Sequence, residues 1–112
     1  MSEISSGNAE LEPEIRFVED ARRYEAVLPD GEEVAYMTVE KSPGLWTIRG
    51  TWVPPSFSGR GVGSALARRV LDEARAEGVQ IYPQCQFLAS YIKRNRHEAD
   101  LVHPEHLHLV ER

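Results

Sequence analysis

The spacing of apolar residues changes once along this chain, at Pro54-Pro55. Before that point apolar and polar residues alternate with period two, as in half-buried strands; after it apolar residues recur every three or four positions, as in an amphipathic helix. Two successive prolines cannot continue a ladder, because neither has an N–H to donate. Such a chain is constrained to build a sheet first and add helices afterwards. Ile15 and Phe17 begin the alternation, and a second run, residues 22–28, puts Tyr24, Ala26 and Leu28 on one face. Pro29-Asp30-Gly31 then reads as a hairpin turn. Residues 33–39 offer two inward sets, Val34 and Tyr36 or Ala35 and Met37, with Val39 a further candidate. Lys41-Ser42-Pro43-Gly44 marks the next turn. Residues 45–53 alternate through Trp46, Ile48 and, beyond Gly50, Trp52, with core packing the default for both tryptophans. The expectation is an antiparallel meander of three or four strands, with too few residues between the first two for a helix.

In the second half Val62, Leu66, Val70 and Ala74 fall at i, i+4 spacing, with Ala65, Ala67 and Leu71 alongside. They predict a helix over 62–77, about four turns. Charged residues from Arg68 to Glu77 cover its other face, and Gly78 supplies the stop. Residues 79–82 predict a short strand ending at Pro83. Phe87, Leu88, Tyr91 and Ile92 predict a second helix over 86–94. The length of 112 residues allows one domain, and 41% hydrophobic with 28% charged residues is ordinary for a globule. Residues 1–12 read as a flexible tail, 13–104 as the folded domain and 105–112 as a C-terminal tail.

Several classes of function are excluded. The longest apolar stretches are a few residues, too short to span a bilayer, so no membrane role is expected. The N-terminus lacks the basic start and apolar core of a secretory signal, and the cytoplasm is the simplest location. A lone cysteine, Cys85, cannot form an internal disulfide or a cysteine zinc cage. A net charge of −5 argues against nucleic acid as a partner. His103, His106 and His108 match no zinc spacing, so no metal is expected and the histidine tail reads as solvated. Oligomeric state is not legible.

The segment that points to chemistry is Ser56-Phe57-Ser58-Gly59-Arg60-Gly61-Val62-Gly63-Ser64, directly ahead of the long helix. Glycines let an anion approach the unpaired N–H groups and positive dipole end of a helix N-terminus. In principle this is a phosphate or pyrophosphate cradle, with charge from Arg60 and a hydroxyl from Ser64. It lacks the Gly-Lys of a P-loop, and it follows an antiparallel meander rather than opening a βαβ unit. A glycine-rich connector that lets the helix pack closely on the sheet is the plain alternative.

Val53-Pro54-Pro55, then Gly59-Arg60-Gly61-Val62-Gly63-Ser64-Ala65-Leu66, resembles the acyl-CoA pyrophosphate loop of the GNAT N-acetyltransferase superfamily. Its pattern is Arg or Gln, two residues, Gly, one residue, then Gly or Ala. Tyr82-Pro83-Gln84-Cys85 and the following Phe87 to Ile92 resemble the small YjdJ-type branch, where a cysteine follows the next strand; Glu98-Ala99-Asp100-Leu101-Val102 is similar to its ending. The likeness covers roughly residues 14–102. It implies an α/β reduced GNAT fold: a mixed, mostly antiparallel sheet with two flanking helices, without the two helices that larger members insert after the first strand. Ser58 departs from the pattern, so glycines and backbone amides would carry the cradle.

The resemblance implies acetyl-CoA as cofactor, bound by Val53, Ser58, Gly59, Arg60, Gly61, Val62, Gly63 and Ser64, and acetyl transfer to a small amine or an exposed protein amine. It implies catalytic roles for Cys85 and Tyr91. Tyr91 is similarly placed to the general-acid tyrosine of many members, and the alternative is a core residue on the helix stripe. Cys85 either accepts the acetyl group, or shapes the site and assists proton transfer, or packs as a small hydrophobe. Glu33 and Glu40 on the meander are weak candidates for the base, since carboxylates on strands are ordinarily solvated, and water is the alternative. A CoA-binding module or sensor without turnover is the alternative function. The basic patch of Arg94 and Arg96 before His97 suits a helix C-terminus, or else touches the nucleotide's phosphate.

Overall fold

In the computed structural model, which describes residues 12–111, the meander consists of β1 (Glu14–Val18), β2 (Arg23–Val27), β3 (Glu33–Ser42) and β4 (Leu45–Trp52). It is followed by helix α1 (Val62–Glu77), strand β5 (Gln80–Pro83) and helix α2 (Gln86–Arg94). Short 3-10 turns at Pro55–Phe57, Arg96–Leu101 and Pro104–Leu109 complete it. The sheet order is β1-β2-β3-β4-β5. The first four strands pair antiparallel and β5 joins β4 in parallel, so the sheet is mixed and mostly antiparallel, as expected. The expected N-terminal tail, 1–12, lies outside the described residues except for Glu12. Among the described residues no helix is long and apolar enough to cross a membrane.

The core forms where α1 lies on one face of the sheet. Val62, Leu66, Val70, Leu71 and Ala74 are fully buried along the helix stripe. Against them β3 presents Ala35, Met37 and Val39, the second of its two sequence registers, because Ala26 pairs with Ala35 and Tyr24 with Met37. Trp46, Ile48 and Ile81 continue that face across β4 and β5. Truncating Leu66 to Ala there removes transfer energy and leaves a cavity, a loss of about 2–5 kcal/mol.

One tryptophan departs from the expected pattern. Thr38 pairs with Gly50 but Val39 pairs with Ile48, so Arg49 is an extra residue, a β-bulge. A bulge shifts the alternation by one. Trp52 therefore leaves the core side, pairs with Tyr36 on the opposite face, and is 50% exposed, with ring centroids 5.7 Å apart. That face is otherwise polar: Arg23 lies 4.2 Å over the Tyr36 ring and reaches Glu25 at 2.9 Å and Glu33 at 3.0 Å.

The C-terminal segment differs from a solvated tail as well. The His103 N–H donates to the Ile81 carbonyl at 2.9 Å, next to a parallel bridge between Ile81 and Val102. The His106 ring stacks on Tyr82 with centroids 3.6 Å apart, and Val110 is fully buried. One apolar side chain with a core pocket, plus an aromatic stack, holds down a segment that carries no apolar periodicity of its own.

Polar ties lock α1 to the sheet. The Tyr24 hydroxyl donates to Glu73, Arg69 pairs with the same carboxylate, and Arg69 also donates to the Ile15 carbonyl at 2.9 Å. At the other end Arg75 bridges Glu98 at 2.9 Å and Asp100 at 2.8 Å, holding the 3-10 turn after α2. Burial alone would push the Glu73 carboxyl up, but hydrogen bonds from Tyr24 and Arg69 outweigh it and hold the group below its ordinary 4.5. A carboxyl depressed by folding gives stability that is complete above its unfolded-state value and is lost as pH falls through the lower folded-state value. Glu73→Gln is therefore expected to cost about 1–2 kcal/mol near neutral pH. The gap to the wild type should close as pH drops below 4.5, as read by urea unfolding across a pH series.

Candidate functional site

The site begins where two neighbouring strands part. β5 pairs with β4 from Leu45↔Gln80 to Ile48↔Pro83 and then stops. Pro83 faces the outer edge of β5, as Ile81 does with its carbonyl on the His103 N–H, so its missing N–H costs the ladder with β4 nothing. The Cys85 N–H makes a last link to the Ile48 carbonyl at 2.8 Å, and the chain turns into α2 with Cys85 as its N-cap. β4 runs on alone on that side through Trp52, bent at the Arg49 bulge. The result is a fork between β4 and the β5–α2 connection.

The glycine loop lies beyond the fork. Gly59 and Gly61 have φ of 77° and 84°, left-handed values that glycine adopts without a Cβ penalty. Gly61 is the N-cap of α1, no side chain caps it, and the first helical bond runs from the Ala65 N–H to the Gly61 carbonyl. The Val62, Gly63 and Ser64 amides thus form the open N-terminus that the loop predicts. They border a cleft of about 210 Å³. Of the residues expected to seat a cofactor, Val53, Ser58, Gly59, Gly61, Val62, Gly63 and Ser64 line it. Arg60 does not; its guanidinium lies 5.9 Å from the Phe57 ring centroid, and its Nε is buried without a hydrogen-bond partner. The cleft is smaller than the roughly 300–1,000 Å³ that encloses a drug-sized ligand, so it suits one end of an elongated molecule.

Phe87 and Arg94 of α2 complete the cleft. They are seven residues apart, two helical turns, and so share a face. Gly63 has a second reason to be glycine: a Cβ built there would lie 2.5 Å from Cζ of Phe87. The loop is both an open helix end and the contact that seats α2 against α1.

Cys85 sits in the crotch of the fork, 4% exposed, its Sγ 3.0 Å from Thr51 Oγ1. Tyr91 lies further along α2, 8% exposed on the inward stripe with Leu88 and Ile92, and its hydroxyl has no hydrogen-bond partner among the described residues. Neither lines the cleft. Six residues along a helix is about 9 Å of rise, so the two groups are at different depths of the fork. Glu33 and Glu40 are engaged with Arg23 and Arg49.

Two other features compete for attention. His103, Glu105 and His106 bring potential ligand atoms within 4.8 Å of one another. However, His103 Nδ1 accepts the Glu105 N–H at 3.1 Å, and a neutral ring accepting there keeps its proton on Nε2. With His106 stacked on Tyr82, these rings hold down the segment. A larger groove of about 570 Å³ runs past Glu19, Asp20, Arg22, Glu40 and Lys41. Its charges are mixed, and Lys41 Nζ already rests 3.9 Å and 4.1 Å from the Phe17 and Trp46 ring centroids.

The family described as GCN5-related N-acetyl-transferase matches residues 23–101, from β2 to the 3-10 turn after α2. The chain belongs to this family. A search of curated proteins gives no match. The matched span contains the fork, the glycine loop and both helices. Thr51, beside Cys85, and Phe87, in the cleft lining, are the residues that sequence motifs did not single out for this site, whereas Arg94 belongs to the basic patch that the sequence offers as a phosphate contact.

Gly63→Ala is expected to lower the thermal midpoint, because a methyl group pushes the Phe87 ring out of its seat; overpacking of this kind costs about 1–3 kcal/mol. Phe87→Leu in the same chain should recover most of that loss in thermal unfolding. Equal midpoints for wild type and Gly63→Ala would show that the ring yields freely.

Proposed function

We propose that this chain is an acetyl-CoA-dependent N-acetyltransferase, of the small cysteine-bearing YjdJ-type kind, acting on a small amine or an exposed protein amine. The observation that carries the reading is the uncapped helix end of α1 opening into a glycine-lined cleft beside the fork. The residues present fit the phosphate end of such a cofactor: backbone amides with no competing cap, glycines where a Cβ would crowd an anion, and no carboxylate in the lining. When bound, acetyl-CoA supplies an acetyl group activated as a thioester.

The chain's residues then divide the work. The Val62, Gly63 and Ser64 amides hold the pyrophosphate, with Ser58, Gly59 and Gly61 shaping the turn. Val53 and the unpartnered edge of β4 give main-chain groups for the extended arm. The fork brings the acceptor amine and the acetyl group together away from bulk water. Tyr91 is the candidate to protonate the departing thiolate. Cys85, held by Thr51 Oγ1 and its own N–H, either takes the acetyl group or keeps that crotch in shape. The amine must reach the site neutral, and water is the candidate acceptor for its proton, since Glu33 and Glu40 are committed to arginines.

A second reading, a CoA-binding module without turnover, has one observation in its favour: no carboxylate, histidine, cysteine or tyrosine lines the cleft, so Cys85 and Tyr91 lie outside it. Turnover on an amine panel separates the two, since a module binds and transfers nothing.

Calorimetric titration with acetyl-CoA and CoA tests the shared claim. Saturable one-to-one binding is expected, and Gly61→Glu should abolish it by placing a side chain and a negative charge in the cradle. Gly61→Glu binding within about threefold of wild type would overturn the loop assignment. Cys85→Ala should slow transfer without changing affinity; unchanged turnover on a competent acceptor would reduce Cys85 to packing.

A further inference from the structure

Resting on that reading, we propose that Arg94 binds a phosphate group of the cofactor's nucleotide, taking the place of the cation that the glycine loop does not provide. The loop fails to provide one twice over. Ser58 lines the cleft but carries no charge, and Arg60 is not among the lining residues, its guanidinium lying 5.9 Å from the Phe57 ring centroid. Across the cleft, α2 supplies what is missing. Arg94 is the charged residue in the lining, and it shares the face of Phe87, whose ring already meets the loop at Gly63.

Its environment leaves it available. Arg94 makes no hydrogen bond or ion pair among the described residues, unlike Arg23, Arg49, Arg69 and Arg75, each held by a carboxylate. No carboxylate in the lining competes for it. The guanidinium is a planar fork of donors that matches phosphate oxygens. The amides at the start of α1 and the guanidinium at the end of α2 then face the same space from two sides. A bland reading exists, in which Arg94 only offsets the dipole at the end of α2; that role would affect stability and not ligand choice.

The experiment is calorimetric titration of the full chain, wild type, Arg94→Gln and Arg60→Gln, with CoA, 3′-dephospho-CoA and pantetheine. Arg94→Gln should weaken CoA by roughly tenfold or more, the scale of one charge-assisted hydrogen bond. It should leave pantetheine, which has no phosphate, unchanged. Arg60→Gln should change CoA affinity by less than about threefold. A loss that disappears with 3′-dephospho-CoA assigns the contact to the 3′-phosphate, and a loss that persists assigns it to the pyrophosphate. If Arg94→Gln binds CoA like the wild type, the inference falls while the cofactor reading stands. An equal loss for CoA and pantetheine, or a larger loss for Arg60→Gln, also overturns it. No binding of CoA by the wild type removes the cofactor reading and this inference with it.

Discussion

The hydrogen bond from the Cys85 N–H to the Ile48 carbonyl marks the last point at which the two halves of the chain are stitched together. Up to that point β4 and β5 share a parallel ladder; beyond it one chain turns into α2 while β4 runs on past the Arg49 bulge. Everything that gives the site its character sits on one branch or the other. β4 carries Thr51 and leads to Val53 and the glycine loop, while the other branch starts α2 and carries Cys85, Phe87, Tyr91 and Arg94. Thr51 still touches Cys85 across the crotch, and further out the branches meet where Phe87 packs on Gly63. The cleft lies at this second meeting, between the glycine loop and the Phe87–Arg94 face of α2.

The two faces of the sheet are organised by different forces. The helix-bearing face is apolar and close-packed, and the Tyr24 hydroxyl on it is paired with Glu73. Its stability comes from burial, with the ion pairs fixing where α1 lies. On the opposite face, Arg16, Arg23, Glu25 and Glu33 form a charged lattice with Tyr36 and Trp52 as an aromatic corner. Such a face needs no helix to cover it. That is consistent with a chain whose first two strands are joined by a turn too short to hold one.

Much of this was legible in the sequence, and the gaps have physical reasons. The i, i+4 stripe from Val62 to Ala74 and the Phe87–Ile92 stripe set both helices within their observed bounds, because helical burial is a local, periodic signal. The glycine loop was legible because backbone freedom at Gly59 and Gly61 is written in residue type. The bulge at Arg49 was not: a bulge is a property of two strands in register, and one strand alone reads as continuous alternation, so Trp52 was assigned to the wrong face. The packed C-terminal segment was not legible either. Its anchors, Val110 in the core and His106 on Tyr82, depend on surfaces formed by distant residues. Thr51 and Phe87 belong to the same class. Their spacing along the chain says nothing about a shared cleft until β5 has crossed back to β4. Cys85 and Tyr91 were singled out by family resemblance, not by spacing.

The parallel ladder has a kinetic meaning. β1 to β4 can pair as successive hairpins, each closing a short loop. Leu45 and Gln80 can pair only after the loop, the whole of α1 and its stop have been laid across the sheet. Contacts that distant in sequence form slowly, because the entropy of closing the crossover is lost before the ladder compensates for it. The fork, and the cleft with it, is therefore a late product of folding, absent from any species in which only the meander has formed. A ligand that needs both branches binds the finished chain and not its precursors, so its concentration acts directly on the balance between them.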